Sequence, residues 1–170
     1  MDFNKALELN PKDAKTYYCR GNAFVHNRLD LEHAIPDFTQ ATQLDPKDPW
    51  GFYGLGVSYS LKRDFNKALS DLTRAIELNP HFAEAYNSRA EAYVGEDNYD
   101  QAISDFTQAI KYGTSSDSIS PYLGRGECFA CKGDEDRAIS DFKMAIKTNP
   151  KDDVAKSYLR DALAQKKGKK

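Results

Sequence analysis

An all-α solenoid of stacked antiparallel helix pairs is the fold class this sequence predicts, and three observations carry the prediction. First, one nine-residue phrase occurs four times: AIPDFTQAT from Ala34, ALSDLTRAI from Ala68, AISDFTQAI from Ala102 and AISDFKMAI from Ala138, in steps of 34, 34 and 36 residues. Second, an upstream set keeps the same beat. Tyr17, Phe52, Tyr86 and Tyr122 are followed four residues on by Gly21, Gly56, Ala90 and Gly126, and after three more by Phe24, Tyr59, Tyr93 and Phe129. Spacings of three, four and seven put these side chains on one helical face. Third, Asp45-Pro46, Asn79-Pro80 and Asn149-Pro150 close the phrases with a residue tolerant of the left-handed conformation, then a proline that cannot continue a helix. A repeat of this length cannot bury its apolar face alone and stacks on its copies. Each unit reads as an upstream helix A and a helix B that carries the phrase.

Residues 1–12 align with the second half of a helix B through Asp2-Phe3, Ala6 and Pro11, so the chain is expected to begin in mid-repeat, as a segment of a longer solenoid would. Repeat 1 spans 13–46 and opens on Asp13 as an N-cap. Its A–B turn carries one additional residue (HNRLDLEHA against SLKRDFNKA), and Pro36 falls inside the phrase. That proline is expected to kink helix B or to move its start to about residue 32–34. Repeat 2 (47–80) opens on Asp48 with Pro49 in the first helical position. Repeat 3 (81–116) ends on Tyr112-Gly113-Thr114, where Gly113 supplies a left-handed stop. Its two additional residues lie in TSSDSIS, read as a longer turn. Repeat 4 (117–150) has Glu135 in place of the usual aromatic near the start of helix B. Residues 151–165, capped by Asp152, form a terminal helix with Val154, Ala155, Tyr158, Leu159, Ala162 and Leu163 on one stripe. Lys156 and Arg160 replace its aromatic and small residues, which suits a helix that ends a stack. Residues 166–170 are a basic tail.

The 170 residues are 40% apolar and 29% charged, enough for one folded domain with a core. Net charge is −2; the four positive charges of Lys166, Lys167, Lys169 and Lys170, taken from it, leave −6 for the body. An acidic body argues against nucleic acid. No apolar run is long enough to span a membrane, and the first twenty residues lack the apolar core of a signal peptide. Three cysteines, an odd number, argue against a disulfide framework and point to a reducing compartment. A cytoplasmic protein is expected.

The order aromatic, small, aromatic on helix A, then alanine, aromatic, alanine and proline on helix B, resembles the tetratricopeptide repeat over nearly the whole chain. The resemblance implies a right-handed superhelix, a non-enzymatic binding role and a concave groove, lined by the A helices, that receives a peptide or partner segment. The residues placed there are Lys15, Tyr18, Asn22 and His26 in repeat 1, with Val25 beside them. Repeat 2 offers Trp50, Tyr53, Val57, Ser60 and Leu61; repeat 3 offers Glu84, Asn87, Glu91 and Val94; repeat 4 offers Ser120, Leu123, Glu127 and Cys131. The N-terminal half of this set is aromatic and apolar, the C-terminal half acidic. A ligand with apolar and basic residues is expected, with Trp50 as its anchor and Lys or Arg opposite Glu84, Glu91 and Glu127. Some members of the family clamp a chaperone's terminal carboxylate with two lysines, two asparagines and an arginine. Only Asn22 matches; Tyr18, Gly54, Glu84 and Ser88 hold the other positions, so that ligand is not expected.

Other constellations resolve into packing. Asp37, Asp71, Asp105 and Asp141 recur in the phrase, and Arg20, Arg89 and Arg125 recur on helix A, with Leu55 in the second repeat. Four carboxylates in four separate, identical environments do not make an active site. An Arg–Asp ladder between A and B helices is the expected arrangement. Cys128-Phe129-Ala130-Cys131 lacks a second ligand pair for zinc and sits late in a helix, away from the N-terminus that would activate a thiol. Gly54-Leu55-Gly56 and Gly124-Arg125-Gly126 lack the third glycine and the strand of a phosphate loop, and read as sites of close helix approach. No metal, cofactor or catalytic residue is expected. Self-association through an uncovered N-terminal end is the alternative to ligand binding, and an RNA-binding helical repeat is third.

Overall fold

A computed structural model describes residues 3–28, 30–113 and 120–168. Ten α-helices and no strand occur among them. Helix α1 covers Phe3–Leu9. Four antiparallel pairs follow: α2 (Ala14–Arg28) with α3 (Leu31–Leu44), α4 (Pro49–Leu61) with α5 (Phe65–Leu78), α6 (Ala83–Gly95) with α7 (Tyr99–Tyr112), and α8 (Pro121–Cys131) with α9 (Glu135–Thr148). Helix α10 (Asp153–Gly168) closes the stack. Each helix packs on the next in sequence. In addition α2 touches α4, α4 touches α6, α6 touches α8 and α8 touches α10. No such approach links successive second helices among the described residues. The A helices therefore gather on the inside of the curve and the B helices splay along its outside.

The phrase supplies the core. Ala34, Phe38 and Ala41, then Ala68, Leu72 and Ala75, Ala102, Phe106 and Ala109, and Ala138, Phe142 and Ala145 are all buried. The small residues of helix A leave room for those large ones. A Cβ at Gly54 would lie 2.5 Å from the Phe38 ring of the preceding repeat, and one at Gly124 would lie 2.4 Å from Phe106. Both Gly-X-Gly stretches thus let one repeat settle on the last.

The ladder is present. Arg20, Arg89 and Arg125 each hold the aspartate of their own repeat through two bonds: Arg20 donates to Asp37 (2.7 Å from Nε and 2.7 Å from Nη2), Arg89 to Asp105 (2.7 and 2.9 Å), and Arg125 to Asp141 (2.8 and 2.9 Å). The third nitrogen reaches back to the preceding repeat: Arg89 Nη1 donates to Thr73 Oγ1 and Arg125 Nη1 to Thr107 Oγ1, both at 3.0 Å, and Arg20 Nη1 to Asn4 Oδ1 at 2.8 Å. Each arginine joins three helices. Opposite Leu55, Asp71 has no such partner, and burial pushes its carboxyl up to about 6.

Several local expectations are corrected. Asp45, Asn79 and Asn149 close their helices at φ −133°, −134° and −132°, extended and not left-handed. The proline that follows each excludes the helical region for its predecessor. Their side chains bridge the turn instead, Oδ1 accepting from the backbone N–H of Lys47, His81 and Lys151. Gly113 does take a positive φ, 79°. Pro36 lies within α3, which starts at Leu31 behind the Asp30 cap, and is not moved into its first turn. Only half the α10 stripe is covered: Ala155 and Ala162 are buried, whereas Val154, Tyr158 and Leu163 are exposed. That helix also runs to Gly168, through the start of the segment read as a tail. Residue 29 of the first A–B turn, residues 114–119 of TSSDSIS, and Lys169 and Lys170 fall outside the described residues. Among the described residues no helix is long and apolar enough to cross a membrane.

Candidate functional site

The inner face begins with aromatic side chains set by helix starts. Pro49 occupies the first turn of α4 and Asp48 caps it, accepting from the backbone N–H of Trp50 at 3.1 Å. This holds Trp50 at the mouth of the helix, with its indole 42% exposed. Its ring centroid is 5.8 Å from Tyr18 of α2, 5.8 Å from Tyr53 one turn on, and 4.6 Å from Phe82 at the head of α6. Tyr53 and Phe82 are themselves 5.1 Å apart. Four aromatic rings from three repeats therefore form one patch, edge-on and tilted as their quadrupoles favour. Phe82 is the member that sequence reasoning missed. Its signal was there: it stands in the capping slot held by Asp48 one repeat earlier, and it makes no side-chain capping bond. An aromatic residue in a slot that wants an oxygen is there for another contact.

The second half of the face is acidic and partly dry. Glu84, Asn87 and Glu91 lie on one side of α6 at helical spacing. Asn87 is 1% exposed, and its Nδ2 donates to Glu91 Oε1 at 2.9 Å. Burial pushes the Glu91 carboxyl up to about 7, and the Asn87 bond pulls in the other direction. Glu127 on α8 is likewise raised by burial. Among the described residues no cation pairs with Glu91 or Glu127. Burial also raises the Tyr18 and Tyr53 phenols; Glu84 adds to both and Glu91 to Tyr53, while a hydrogen bond with Ser88 lowers Tyr53. The aromatic patch and the acidic stretch are neighbours, meeting at Tyr53.

The remaining candidates divide by accessibility. Lys15 and His26 are exposed, and Asn22 and Val57 half-buried. Leu123 is not on the open face. It is 6% exposed and packs with Phe129, Ile139 and Phe142, which removes it as a ligand contact. Cys128 is buried, which pushes its thiol up to about 12, and Cys131 is exposed at the end of α8. A buried thiol at that level is an apolar filler. Among the described residues no cluster of three or more His, Cys, Asp or Glu side chains that could hold a metal ion occurs.

Models of the tetratricopeptide repeat match residues 49–82 and 89–153. No curated protein matches the chain. Among solved structures, MamA is 26% identical, over 88% of this chain and 85% of that one, with a TM-score of 0.74. YrrB, described as a TPR protein with an unusual peptide-binding site, is 22% identical over 98% and 84%, with a TM-score of 0.77. The first TPR domain of Spaghetti (RPAP3), solved bound to the HSP90 peptide SRMEEVD, is 19% identical over 71% and 93%, with a TM-score of 0.65. The matched segments, the repeated Arg–Asp rungs and the stacked pairs agree, and the chain belongs to the tetratricopeptide repeat family.

Proposed function

We propose that this protein is a non-enzymatic interaction module that binds an apolar and basic segment of a partner along its concave face. The observation that carries the proposal is the half-open patch of Tyr18, Trp50 and Tyr53, backed by the buried Phe82, beside the carboxylates of Glu84 and Glu91. Rings of this kind dominate binding energy when a partner completes their burial. The carboxylates select charge: a cationic segment relieves them and an acidic one is repelled. Two proteins of similar fold have a peptide-binding site or a bound peptide, which supports a peptide-binding role. Clamping of a chaperone's terminal carboxylate is disfavoured, because Glu84 and Ser88 stand where that clamp needs positive donors.

The test is selection of short peptides from a random library on the protein, followed by affinity measurement from polarisation of the labelled peptides. Selected sequences are expected to be rich in apolar and basic residues, and Trp50→Ala is expected to weaken them about 30-fold, the equivalent of about 2 kcal/mol. Binders indifferent to Trp50→Ala and to Tyr53→Ala contradict the proposal. A second reading, self-association, is favoured by exposed Leu9 on α1 and by the groove between α9 and α10, where Ile146, Leu159 and Leu163 lie with Lys156, Arg160 and Lys167. Sedimentation over a concentration range tests it, and a monomer throughout counts against it.

A further inference from the structure

Asn87 carries an unmet demand. While Glu91 is ionised, its bond fixes the carboxamide, since a carboxylate only accepts and the amide must therefore present Nδ2. Oδ1 is left without a donor, the one buried side-chain nitrogen or oxygen in that position among the described residues. An unpaired carbonyl in a dry site is destabilising, and native structures keep few. Here it sits in the acidic half of the concave face, one helical turn from Glu84 and from Glu91. A carbonyl that lacks a donor, beside a carboxylate that lacks a cation, fits one chemistry: a positive side chain with more than one N–H.

We infer that Asn87 and Glu91, with Tyr53 as a wall, form a subsite for a lysine or arginine side chain of the bound segment. That side chain supplies the donor for Asn87 Oδ1 and the charge for Glu91. It enters over Glu91, which is only partly covered, and donates to Asn87 Oδ1 while the Nδ2 bond to Glu91 is kept. A backbone N–H satisfies the carbonyl but leaves the carboxylate unpaired, so a neutral segment gains less. The inference rests on the groove reading above and assigns which part of the ligand lies on α6. Burial of Glu91 supports it, because burial outweighs the Asn87 bond and an ionised carboxylate there gains from a cation.

Two arms test it separately. In the first, n-butylammonium and n-propylguanidinium chlorides, which stand in for the two side chains, are titrated at pH 8 against sodium chloride at equal ionic strength. The side-chain resonances of Asn87 and Glu91 are followed by NMR. Saturable shifts with either organic cation, lost in Glu91→Gln, are expected; shifts no larger than those with sodium overturn the subsite. In the second arm, peptides with three apolar residues on each side of a central lysine, arginine or norleucine are titrated while Trp50 emission is recorded. The cationic peptides are expected to bind about tenfold tighter than the norleucine peptide, and the ratio to fall toward one in Glu91→Gln. Equal binding of all three, without NMR shifts in the first arm, overturns the subsite and leaves the groove standing. Shifts with the small cations and no response of Trp50 to any peptide leave the subsite standing and overturn the groove.

Discussion

At the scale of single residues, the repeated aspartate is the clearest case of a chemically suggestive group with a packing role. Asp105 is buried and held by both arms of Arg89, which also reaches Thr73 of the preceding repeat. Removing the arginine strands a carboxylate in a dry site. Arg89→Leu is expected to cost about 3 kcal/mol of stability, read by urea denaturation, with affinity for a selected peptide unchanged. Asp71 is the rung without an arginine, and Glu91, like Glu127, has no cation partner among the described residues. Asp71 and Glu91 have folded-state pKa values above their ordinary ones, about 6 and about 7. At these two sites the native state therefore holds protons that the unfolded chain has released, so their contribution to stability is full below about pH 4 and declines as pH rises toward 7. Asp71→Asn is expected to flatten the lower part of that decline and to raise stability at pH 8 by about 1–2 kcal/mol, after discount for partial exposure. Denaturation at pH 5 and pH 8 checks it; an unchanged pH dependence contradicts it. Ligand binding has the opposite sign. A cation on Glu91 favours its ionised form, so affinity for a basic peptide rises from pH 6 to pH 8.

At the scale of the helices, the sequence made pairing and packing legible because both depend on spacing. Alanine, phenylalanine and alanine in a phrase of fixed length can bury one face only, and the glycines opposite announce where a neighbour comes close. Gly54→Ala brings a methyl against the Phe38 ring at 2.5 Å and is expected to destabilise by about 1–3 kcal/mol, visible as a lower melting temperature. What spacing cannot convey is backbone conformation at the joints. Asp45, Asn79 and Asn149 were plausible left-handed stops by residue type, yet the proline after each sets an extended φ. Pro36 shows the converse: the Asp30 cap and the buried Ala34 and Phe38 keep α3 starting at Leu31 despite a lost backbone donor. Phe82 and Leu123 escaped sequence reasoning for a related reason. A helical wheel assigns a face to each residue but does not say how far neighbouring repeats close over it.

At the scale of the molecule, the stack separates two tasks. The B helices and three Arg–Asp rungs form an outer wall, while successive A helices converge on the inner face. Repetition makes the wall; departures from repetition make the face. Trp50, Phe82 and Asn87 have no counterpart at the same place in the other repeats, Glu91 recurs only as Glu127, and each belongs to the aromatic patch or to the acidic stretch beside it. The division is tested most directly by measuring, for one library-selected peptide, the affinity of Trp50→Ala and Arg89→Leu alongside their unfolding free energies. The account predicts that Trp50→Ala loses about 30-fold in affinity with little loss of stability, and that Arg89→Leu loses stability at unchanged affinity. The reverse assignment, with affinity lost on Arg89→Leu and retained on Trp50→Ala, contradicts it.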